Sequence, residues 1–332
     1  MTFRYNNVFV NGTGTSVGPY ENDGPLSGKF DKSYEDLYCG EDSWEKAEVK
    51  LQQDAIEAIF KKTKRDKSVI DVLISGDLLN QISASTYAAE KFDIPHLGVF
   101  SACATSMEGI IIASSLIDSG KVKSSIVSTS SHNMASEKQF RNPTEYGAPK
   151  PKTSTFTSTG GAAILLSSTK SKVKVESSTI GTIVDMGQND PLNMGAAMAC
   201  AAGDVINKHL RDMKRDINYY DLIVTGDLGI YGKEILSDYM KTEFGIDLGN
   251  NYNDTGTMLY NVERQEEVLA GGSGPATCPL VAYTDIIPAL EKGILKRVLV
   301  VATGALFSPT FIFQKENICS VAHAVSLESV NR

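Results

Sequence analysis

Apolar and polar positions alternate along the chain with the two periods that distinguish strands from helices. Short apolar runs predict buried strands, and apolar residues three or four positions apart predict amphipathic helices. In the first half this pattern predicts strands at residues 3–10, 69–75, 97–100, 123–129 and 159–166, and helices at residues 43–64, 83–92 and 110–120. Such alternation is typical of an α/β fold with mostly parallel strands and right-handed crossovers.

Three segments interrupt the alternation. Residues 11–19 are rich in glycine and small polar residues, and we interpret them as a flexible loop, since no Lys-Ser/Thr pair follows to make a phosphate-binding loop. Residues 20–42 predict an irregular surface segment. Residues 132–157 contain three prolines and four basic against two acidic residues, which predicts a long irregular insertion. This insertion is either a lid with a preference for anions or a solvated surface loop.

A segment of the first half recurs in the second half. The sequence of residues 71–78, Asp-Val-Leu-Ile-Ser-Gly-Asp-Leu, matches Asp-Leu-Ile-Val-Thr-Gly-Asp-Leu at residues 221–228, with an identical or similar residue at every position. The repeat predicts two related halves, residues 1–168 with the insertion and residues 172–332, arranged about a pseudo-two-fold axis.

Cys103 lies between the predicted strand at 97–100 and the predicted helix at 110–120, in a run of small residues. The N-terminus of a helix favours a thiolate and any bound anion, whereas the alternative is a buried structural cysteine. In a pseudo-two-fold α/β molecule the carboxyl ends of strands from both halves face each other. We therefore expect Asp227 and the turn at 271–274 to lie opposite Cys103.

Composition narrows the class of protein. The 332 residues carry a formal net charge of −8, which argues against a broad nucleic-acid-binding surface. Five widely spaced cysteines without a CxxC pair suit a reducing compartment rather than a disulfide or zinc framework. We see no signal peptide and no apolar run of membrane-spanning length, and we expect a soluble polypeptide that can still dock onto a membrane complex.

The duplicated layout with a cysteine at the first elbow resembles the thiolase-like superfamily, which includes the ketoacyl synthases, over nearly the whole chain. More specifically, the chain resembles the stage V sporulation protein AD family of spore-forming Firmicutes, in residues 100–108, 137–141, 145–147, 193–199, 271–278 and 321–326. This resemblance implies a thiolase-like α/β fold in which two duplicated halves form a layered α-β-α-β-α arrangement. It also implies a homodimer.

The resemblance implies a function in sporulation and in spore germination. Members belong to the machinery that moves dipicolinic acid (pyridine-2,6-dicarboxylate), as the free acid or its calcium chelate, into the developing spore. The implied location is the spore inner membrane. The resemblance implies that the protein associates with this membrane peripherally and has integral membrane subunits as partners. No cofactor is implied. No metal cage is expected, because the chelate brings its own calcium and no EF-hand spacing occurs.

Ketoacyl synthases that resemble this layout carry a histidine after the strand matching residues 222–225, and an asparagine or second histidine in the turn at 271–274. In this chain Gly226 and Asp227 stand where those enzymes have the first histidine, and the turn at 271–274 contains no asparagine or histidine. We therefore interpret Cys103 as a vestigial nucleophile and the chain as a binding protein rather than an enzyme. The alternatives are an acyltransferase or condensing enzyme that uses Cys103, with His323 as its base, and a scaffold that docks membrane subunits.

A flat dianion needs an apolar slot, backbone N–H donors, and a cation or hydroxyl groups. On these grounds the predicted ligand-binding residues are Cys103, His132, Arg141, Phe156, Thr159, Gly160, Gly226, Asp227, Gly272, Ser273 and His323. Arg141 is the predicted charged clamp, and Phe156 or Phe307 the predicted ring contact. We expect His132 and His323 to face the pocket, whereas His209, in a charged helix, is expected to be exposed.

Overall fold

The computed structural model describes residues 1–140 and 150–330. Its strands are β1 (Thr2–Arg4), β2 (Phe9–Val17), β3 (Lys32–Ser33), β4 (Val72–Gly76), β5 (His96–Gly98), β6 (Ser124–Ser131), β7 (Phe156–Thr157), β8 (Gly160–Ser167), β9 (Val173–Ile180), β10 (Leu222–Thr225), β11 (Tyr252–Asp254), β12 (Gly272–Ser273), β13 (Arg297–Ala305) and β14 (Ser320–Ser329). Short 3-10 turns lie at Lys67–Val69, Asn80–Ile82, Ile217–Tyr219, Gly249–Asn251 and Glu266–Val268.

The α-helices are α1 (Pro19–Asn22), α2 (Trp44–Thr63), α3 (Ser83–Glu90), α4 (Thr105–Asp118), α5 (Asn133–Phe140), α6 (Met194–Met213), α7 (Gly229–Phe244), α8 (Thr255–Leu259), α9 (Thr277–Val281), α10 (Ile287–Glu291) and α11 (Pro309–Phe313). A π-helical stretch, Ala282–Ile286, joins α9 to α10 without a break. Across this part of the chain, no helix combines the length and the apolar character needed to cross a membrane.

The strands form two runs with the same internal order. One run is β5-β4-β6-β8-β2 and the other is β11-β10-β13-β14-β9. In each run the first three strands are parallel to one another and the last three are antiparallel. The runs join where Phe9 and Val10 of β2 pair with Lys174 and Val173 of β9. The strand order of one half of the sheet therefore repeats that of the other half.

Helices cover both faces of each run and fill the space between the runs. Helix α2 packs on β2, β6 and β8, and α6 packs on β13 and β14 with α7 beside it. Helix α4 contacts β4 and β6 of one run and β13 and β14 of the other, so it lies between them. Successive strand residues point to opposite layers: Ile74 enters the central core and Leu73 the outer one. This is the layered α/β arrangement that the family resemblance implies.

Residues 11–17, predicted to be a flexible loop, belong to strand β2, so that prediction is wrong. The glycines in this stretch allow a close approach of helix α2 to the strand. A Cβ atom at Gly14 would lie 1.9 Å from the carbonyl oxygen of Ala55, and one at Gly12 would lie 2.7 Å from the Thr63 side chain. Glycine here therefore serves helix-on-strand packing and not a turn.

Two elements beside the candidate site also differ from their predictions. The predicted buried strand at 97–100 is the short edge strand β5, where Leu97 is 45% exposed and the following Phe100 is 50% exposed. The predicted irregular insertion begins with the ordered helix α5, which packs against α2 and β7. An apolar run predicts burial only where neighbouring elements cover the strand. β5 lies at the end of the sheet and, among the described strands, pairs with β4 alone.

Candidate functional site

Cys103 lies in a tight elbow between β5 and α4. Ala102 adopts a left-handed backbone φ of 49°, and Thr105 begins the helix. The Thr105 hydroxyl accepts a hydrogen bond from the Ser101 amide at 3.0 Å and donates one to the Ala102 carbonyl at 2.5 Å. A Cβ atom at Gly304 of β13 would lie 2.2 Å from the Ser101 carbonyl oxygen. The elbow is thus fixed locally and pressed against the second strand run.

The elbow meets the ends of two strands from the other half of the molecule. Asp227 follows β10, and its Oδ2 accepts a hydrogen bond from the Gly274 amide at 2.8 Å. The Cys103 thiol interacts with the Asp227 carboxyl and with the Ser273 hydroxyl. The structure therefore brings Cys103, Asp227 and Ser273 together.

Burial favours the protonated forms of the central acidic groups. The Cys103 residue is 8% exposed and Asp227 is 1% exposed. Burial raises the pKa of the Cys103 thiol well above its ordinary value, and the adjacent Asp227 carboxyl raises it further. Burial also raises the pKa of Asp227 well above its ordinary value, and Asp254 adds to that rise. Cysteine nucleophiles react as thiolates. Burial and the nearby carboxyl group disfavour the thiolate form of Cys103.

A cavity of about 100 Å³ opens over Cys103. Its apolar walls are Leu78, Phe100, Ala102, Phe140, Pro191, Leu192, Met194, Ala305 and Phe307, and its polar lining is Cys103, Ser136, Glu137, Thr157 and Ser273. Phe140 and Phe307 pack edge to face with ring centroids 5.6 Å apart. The ammonium group of Lys150 lies 3.0 Å from the Glu137 carboxylate, so these two charges form an ion pair. The cavity is therefore aromatic on its walls and hydrogen-bonding around the thiol.

Pairing of β7 with β12 builds part of the polar lining. This pairing aligns Thr157 with Ser273 and Phe156 with Gly272. Thr157 and Ser273 line the cavity, whereas Phe156 packs between Tyr20 and Tyr260, with ring centroids 5.2 and 5.8 Å away. Phe156 therefore supports the cavity from behind, and Phe307 is the predicted ring contact that lines it.

Thr159 and Glu21 also lie behind the cavity. The Thr159 amide, a predicted ligand donor, donates to Glu21 Oε1 at 2.9 Å, and the Tyr260 hydroxyl donates to the same oxygen. Glu21 is fully buried, and burial raises its pKa to about 7. Because its N–H is already used, Thr159 is not a free donor for a ligand, and the prediction for it was wrong on this point.

The remaining predicted glycines serve packing. The Gly226 amide donates to the Val301 carbonyl at 2.9 Å. A Cβ atom at Gly272 would lie 2.5 Å from the Tyr260 ring, and one at Gly160 would lie 2.8 Å from Leu280. Gly160, Gly226 and Gly272 lie outside the cavity lining and support its frame.

Two predicted histidines turn away from the cavity. His132 Nε2 lies 2.7 Å from the Leu37 carbonyl, and burial lowers the pKa of this ring. His323 Nδ1 accepts a hydrogen bond from the Gly181 amide at 3.3 Å, and burial lowers its pKa to about 4. The expectation that these rings face the pocket was wrong, because backbone partners in other segments bind both of them. Arg141, the predicted clamp, lies outside the described residues.

Sequence reasoning missed several cavity residues. Phe100, Phe140 and Met194 fall within the stretches that carry the family resemblance, and this was the available signal. Leu192 and Pro191 had no such signal, since only tertiary packing brings them to the cavity. Within residues 1–140 and 150–330, no three His, Cys, Asp or Glu side chains are grouped so as to hold a metal ion.

Two solved structures superpose on nearly the whole chain. The 3-oxoacyl-[acyl-carrier-protein] synthase III of Aquifex aeolicus VF5 superposes with a TM-score of 0.60 and 13% identity, covering 97% of this chain and 99% of that one. Cerulenin-bound OleA of Xanthomonas campestris superposes with a TM-score of 0.61 and 15% identity, covering 97% of this chain and 100% of that one. The molecule therefore has the thiolase-like fold.

Sequence comparison gives a narrower assignment. The family model described as Stage V sporulation protein AD matches residues 1–328. The protein of that name from Bacillus subtilis (strain 168) is 47% identical over 321 residues, which cover 97% of this chain and 94% of that protein. The chain therefore belongs to the stage V sporulation protein AD family.

Proposed function

We propose that this chain binds dipicolinic acid, as the free acid or its calcium chelate, for uptake into the developing spore, and that it does not transform the ligand. The observation that carries the proposal is the pairing of Cys103 with Asp227. A condensing enzyme needs a base beside its nucleophile, whereas here a second acid faces the thiol and burial raises the pKa of both groups.

The cavity suits a small planar dianion. Phe100, Phe140 and Phe307 provide aromatic walls for a flat ring. The Thr157 and Ser273 hydroxyls are hydrogen-bond donors for a carboxylate. Lys150 neutralises the Glu137 carboxylate at the cavity, and the predicted clamp Arg141 would supply positive charge for the second carboxylate.

The proposal extends to the setting in which the site works. We propose that the chain acts peripherally at the spore inner membrane, as a homodimer and with integral membrane subunits as partners; membership of a sporulation protein family supports this setting. Immunoblotting of carbonate-washed and untreated spore inner membranes tests the location. A protein released by carbonate is peripheral, and one absent from the untreated membrane fraction contradicts this placement.

Calorimetric titration of the purified chain with dipicolinic acid, with and without calcium, tests the function. We expect saturable binding at one site, weakened about tenfold in Cys103→Ala, which corresponds to about 1.4 kcal/mol for one hydrogen bond. Cys319→Ala is the matched control, since Cys319 lies outside the cavity lining. No heat of binding and no competition at millimolar ligand would contradict the proposal.

One observation favours a second candidate, an acyltransferase or condensing enzyme. Cys103 retains the strand-to-helix elbow and lines the cavity, as an acyl-accepting thiol would. Mass spectrometry after incubation with a panel of acyl thioesters separates the two functions. An acyl adduct on Cys103 favours the enzyme, and an unmodified chain across the panel favours the binding protein.

A further inference from the structure

We propose that an acidic, apolar groove next to the ligand cavity is the docking surface for a basic amphipathic segment of a protein partner. The groove lies between helix α11 and the connection that joins β9 to α6. Its assignment to an integral membrane subunit rests on the proposed function, whereas the chemistry of the occupant follows from the groove itself. The chain would then have a partner surface in addition to the ligand cavity over Cys103.

Two segments that are distant in sequence form the groove, which has a volume of about 310 Å³. The backbone of Val184 exchanges two hydrogen bonds with that of Ser320, each 2.8 Å long. The side-chain amide of Asn317 donates to Asp185 Oδ2 at 3.2 Å. These hydrogen bonds hold the connection from β9 to α6 against the segment that leads into β14, so the groove is built into the fold.

Large apolar side chains are exposed in and around the groove. Phe311 lines it, and Phe313 ends the same helix, α11. Ile183 and Met186 lie on the other segment, on either side of the residues that bind Asn317 and Ser320. Each of these four side chains is more than half exposed. Single exposed apolar residues are ordinary, but a group of them with a polar rim indicates a surface that another molecule covers.

The charges that line the groove are negative. They are the carboxylates of the exposed residues Asp185 and Glu316, and no lysine, arginine or histidine of the described residues lines it. Lys315 precedes Glu316 in the chain but lies outside the lining. Apolar walls with carboxylates beside them complement a helix that carries apolar side chains on one face and lysine or arginine next to that face.

The same carboxylates disfavour the other occupants of an apolar surface. A second copy docked through the same face would bring Asp185 and Glu316 toward their own counterparts, and like charges across an interface oppose association. An anionic membrane surface would repel them as well. A basic protein segment is therefore the favoured occupant. The cytoplasmic loops of integral membrane proteins carry an excess of lysine and arginine, so a membrane subunit has the required chemistry.

The groove and the ligand cavity share the two segments that wall them. Directly after β13, Leu306 lines the groove and the next residue, Phe307, lines the cavity. In the connection from β9 to α6, Asp185 lines the groove and Leu192 lines the cavity. A partner docked in the groove would therefore lie beside the cavity, where a ligand can pass between the two proteins.

Fluorescence polarisation with a labelled synthetic peptide tests the chemistry of the groove. The probe is a helix of about 18 residues with leucines on one face and lysines beside them. We expect the double variant Phe311→Ser/Phe313→Ser to bind it at least about fivefold more weakly than the wild type. Asp185→Asn/Glu316→Gln should bind it about threefold more weakly or worse. A peptide with glutamate in place of lysine should not bind the wild type.

Two matched double variants separate the groove from the general surface. Val69→Ser/Ile294→Ser removes two exposed apolar side chains elsewhere, and Glu234→Gln/Glu243→Gln removes two exposed carboxylates of α7. Both should bind the lysine peptide as the wild type does. No binding of this peptide by the wild type, equal losses in groove and control variants, or equal binding of the glutamate peptide overturns the inference.

Photo-crosslinking in spores tests the partner, with p-benzoylphenylalanine in place of Phe313 and, as the control, of Ile294. We expect the label at 313 to join an integral membrane protein through a segment that contains lysine or arginine beside apolar residues, and the label at 294 not to do so. From a chain present in the inner membrane fraction, a product with lipid or with a second copy, or no product, overturns the inference. A chain absent from that fraction contradicts the proposed location alone, and the peptide titration then decides the role of the groove.

Discussion

Asp71 and Asp221 make the same pair of hydrogen bonds in the two halves of the molecule. Asp71 Oδ2 accepts from the amides of residues 123–124 at 2.6 and 3.0 Å. Asp221 Oδ2 accepts from the amides of residues 296–297 at 2.6 and 2.9 Å. Each aspartate precedes a parallel strand, β4 or β10, and ties it to the start of the neighbouring strand, β6 or β13.

Removing either carboxylate should lower the free energy of unfolding by a similar, moderate amount. We expect Asp71→Ala and Asp221→Ala each to lower the free energy of unfolding by about 1–2 kcal/mol, since each loses two hydrogen bonds to a partly exposed acceptor. Urea unfolding followed by circular dichroism measures the loss. Asp71→Asn and Asp221→Asn, which keep one acceptor oxygen, should lose less. A severe loss at one position with none at the other would contradict the equivalence of the two sites.

This equivalence was readable from the sequence, because an eight-residue repeat preserves both the strand and its flanking aspartates. The meeting of Cys103 with Asp227 was readable for a related reason. Parallel strands of a duplicated α/β fold direct their carboxyl ends to a shared edge, so residues that follow parallel strands of the two halves come together. Periodicity and repetition thus predict the frame of the molecule and the place of the thiol.

Polar residues buried by distant segments could not be predicted in this way. His209 follows Lys208 and was expected to be exposed, yet its Nδ1 lies 2.8 Å from the Thr179 hydroxyl and its Nε2 2.6 Å from the Tyr220 hydroxyl. Glu21 lies in a segment expected at the surface, yet Tyr260 and Thr159 bind its carboxyl inside the protein. These partners are distant in sequence, so no local sequence pattern predicts that His209 and Glu21 are buried.

Glu21 should make stability depend on pH between its unfolded and folded pKa values. Burial raises the pKa of Glu21 from 4.5 to about 7. The stability linked to the neutral carboxyl is therefore fully present below about pH 4.5 and declines as the pH rises to about 7, by at most about 3 kcal/mol. Glu21→Gln keeps an acceptor for the Tyr260 hydroxyl and should flatten this part of the profile.

Urea unfolding of the wild type and Glu21→Gln at about pH 5 and about pH 8 measures this effect. The variant should gain stability relative to the wild type at the higher pH. Asp23→Asn is the matched control, because Asp23 lies in the same segment with a solvent-exposed side chain. Equal pH slopes in Glu21→Gln and the wild type would show that Glu21 is ionised in the folded protein.

The Cys103 thiol should be slow to react at neutral pH. Burial and the neighbouring Asp227 raise its pKa well above the ordinary value, and each unit lowers the thiolate fraction about tenfold. Cys319, the most exposed of the five cysteines, should be alkylated first by iodoacetamide, as peptide mass spectrometry would show.

Replacing Asp227 by histidine supplies a base at this position and should accelerate alkylation of Cys103, whereas Asp227→Asn should not. Fast alkylation of Cys103 in the wild type would contradict the protonated site.

The edge strand β5 should carry the contact between two copies of the chain. It pairs with β4 on one side and, among the strands of the described residues, has no neighbour on the other. Leu97 on this strand is 45% exposed, and the nearby Tyr87 on α3 is 70% exposed. An open strand edge with exposed apolar residues favours pairing with a second edge, and a lysine placed there opposes it.

We expect a dimer by light scattering after size exclusion, and a monomer for Leu97→Lys. Ile294→Lys, at a site 72% exposed after α10, should remain dimeric. A wild-type monomer contradicts the dimer, and a dimeric Leu97→Lys protein places the contact on another surface.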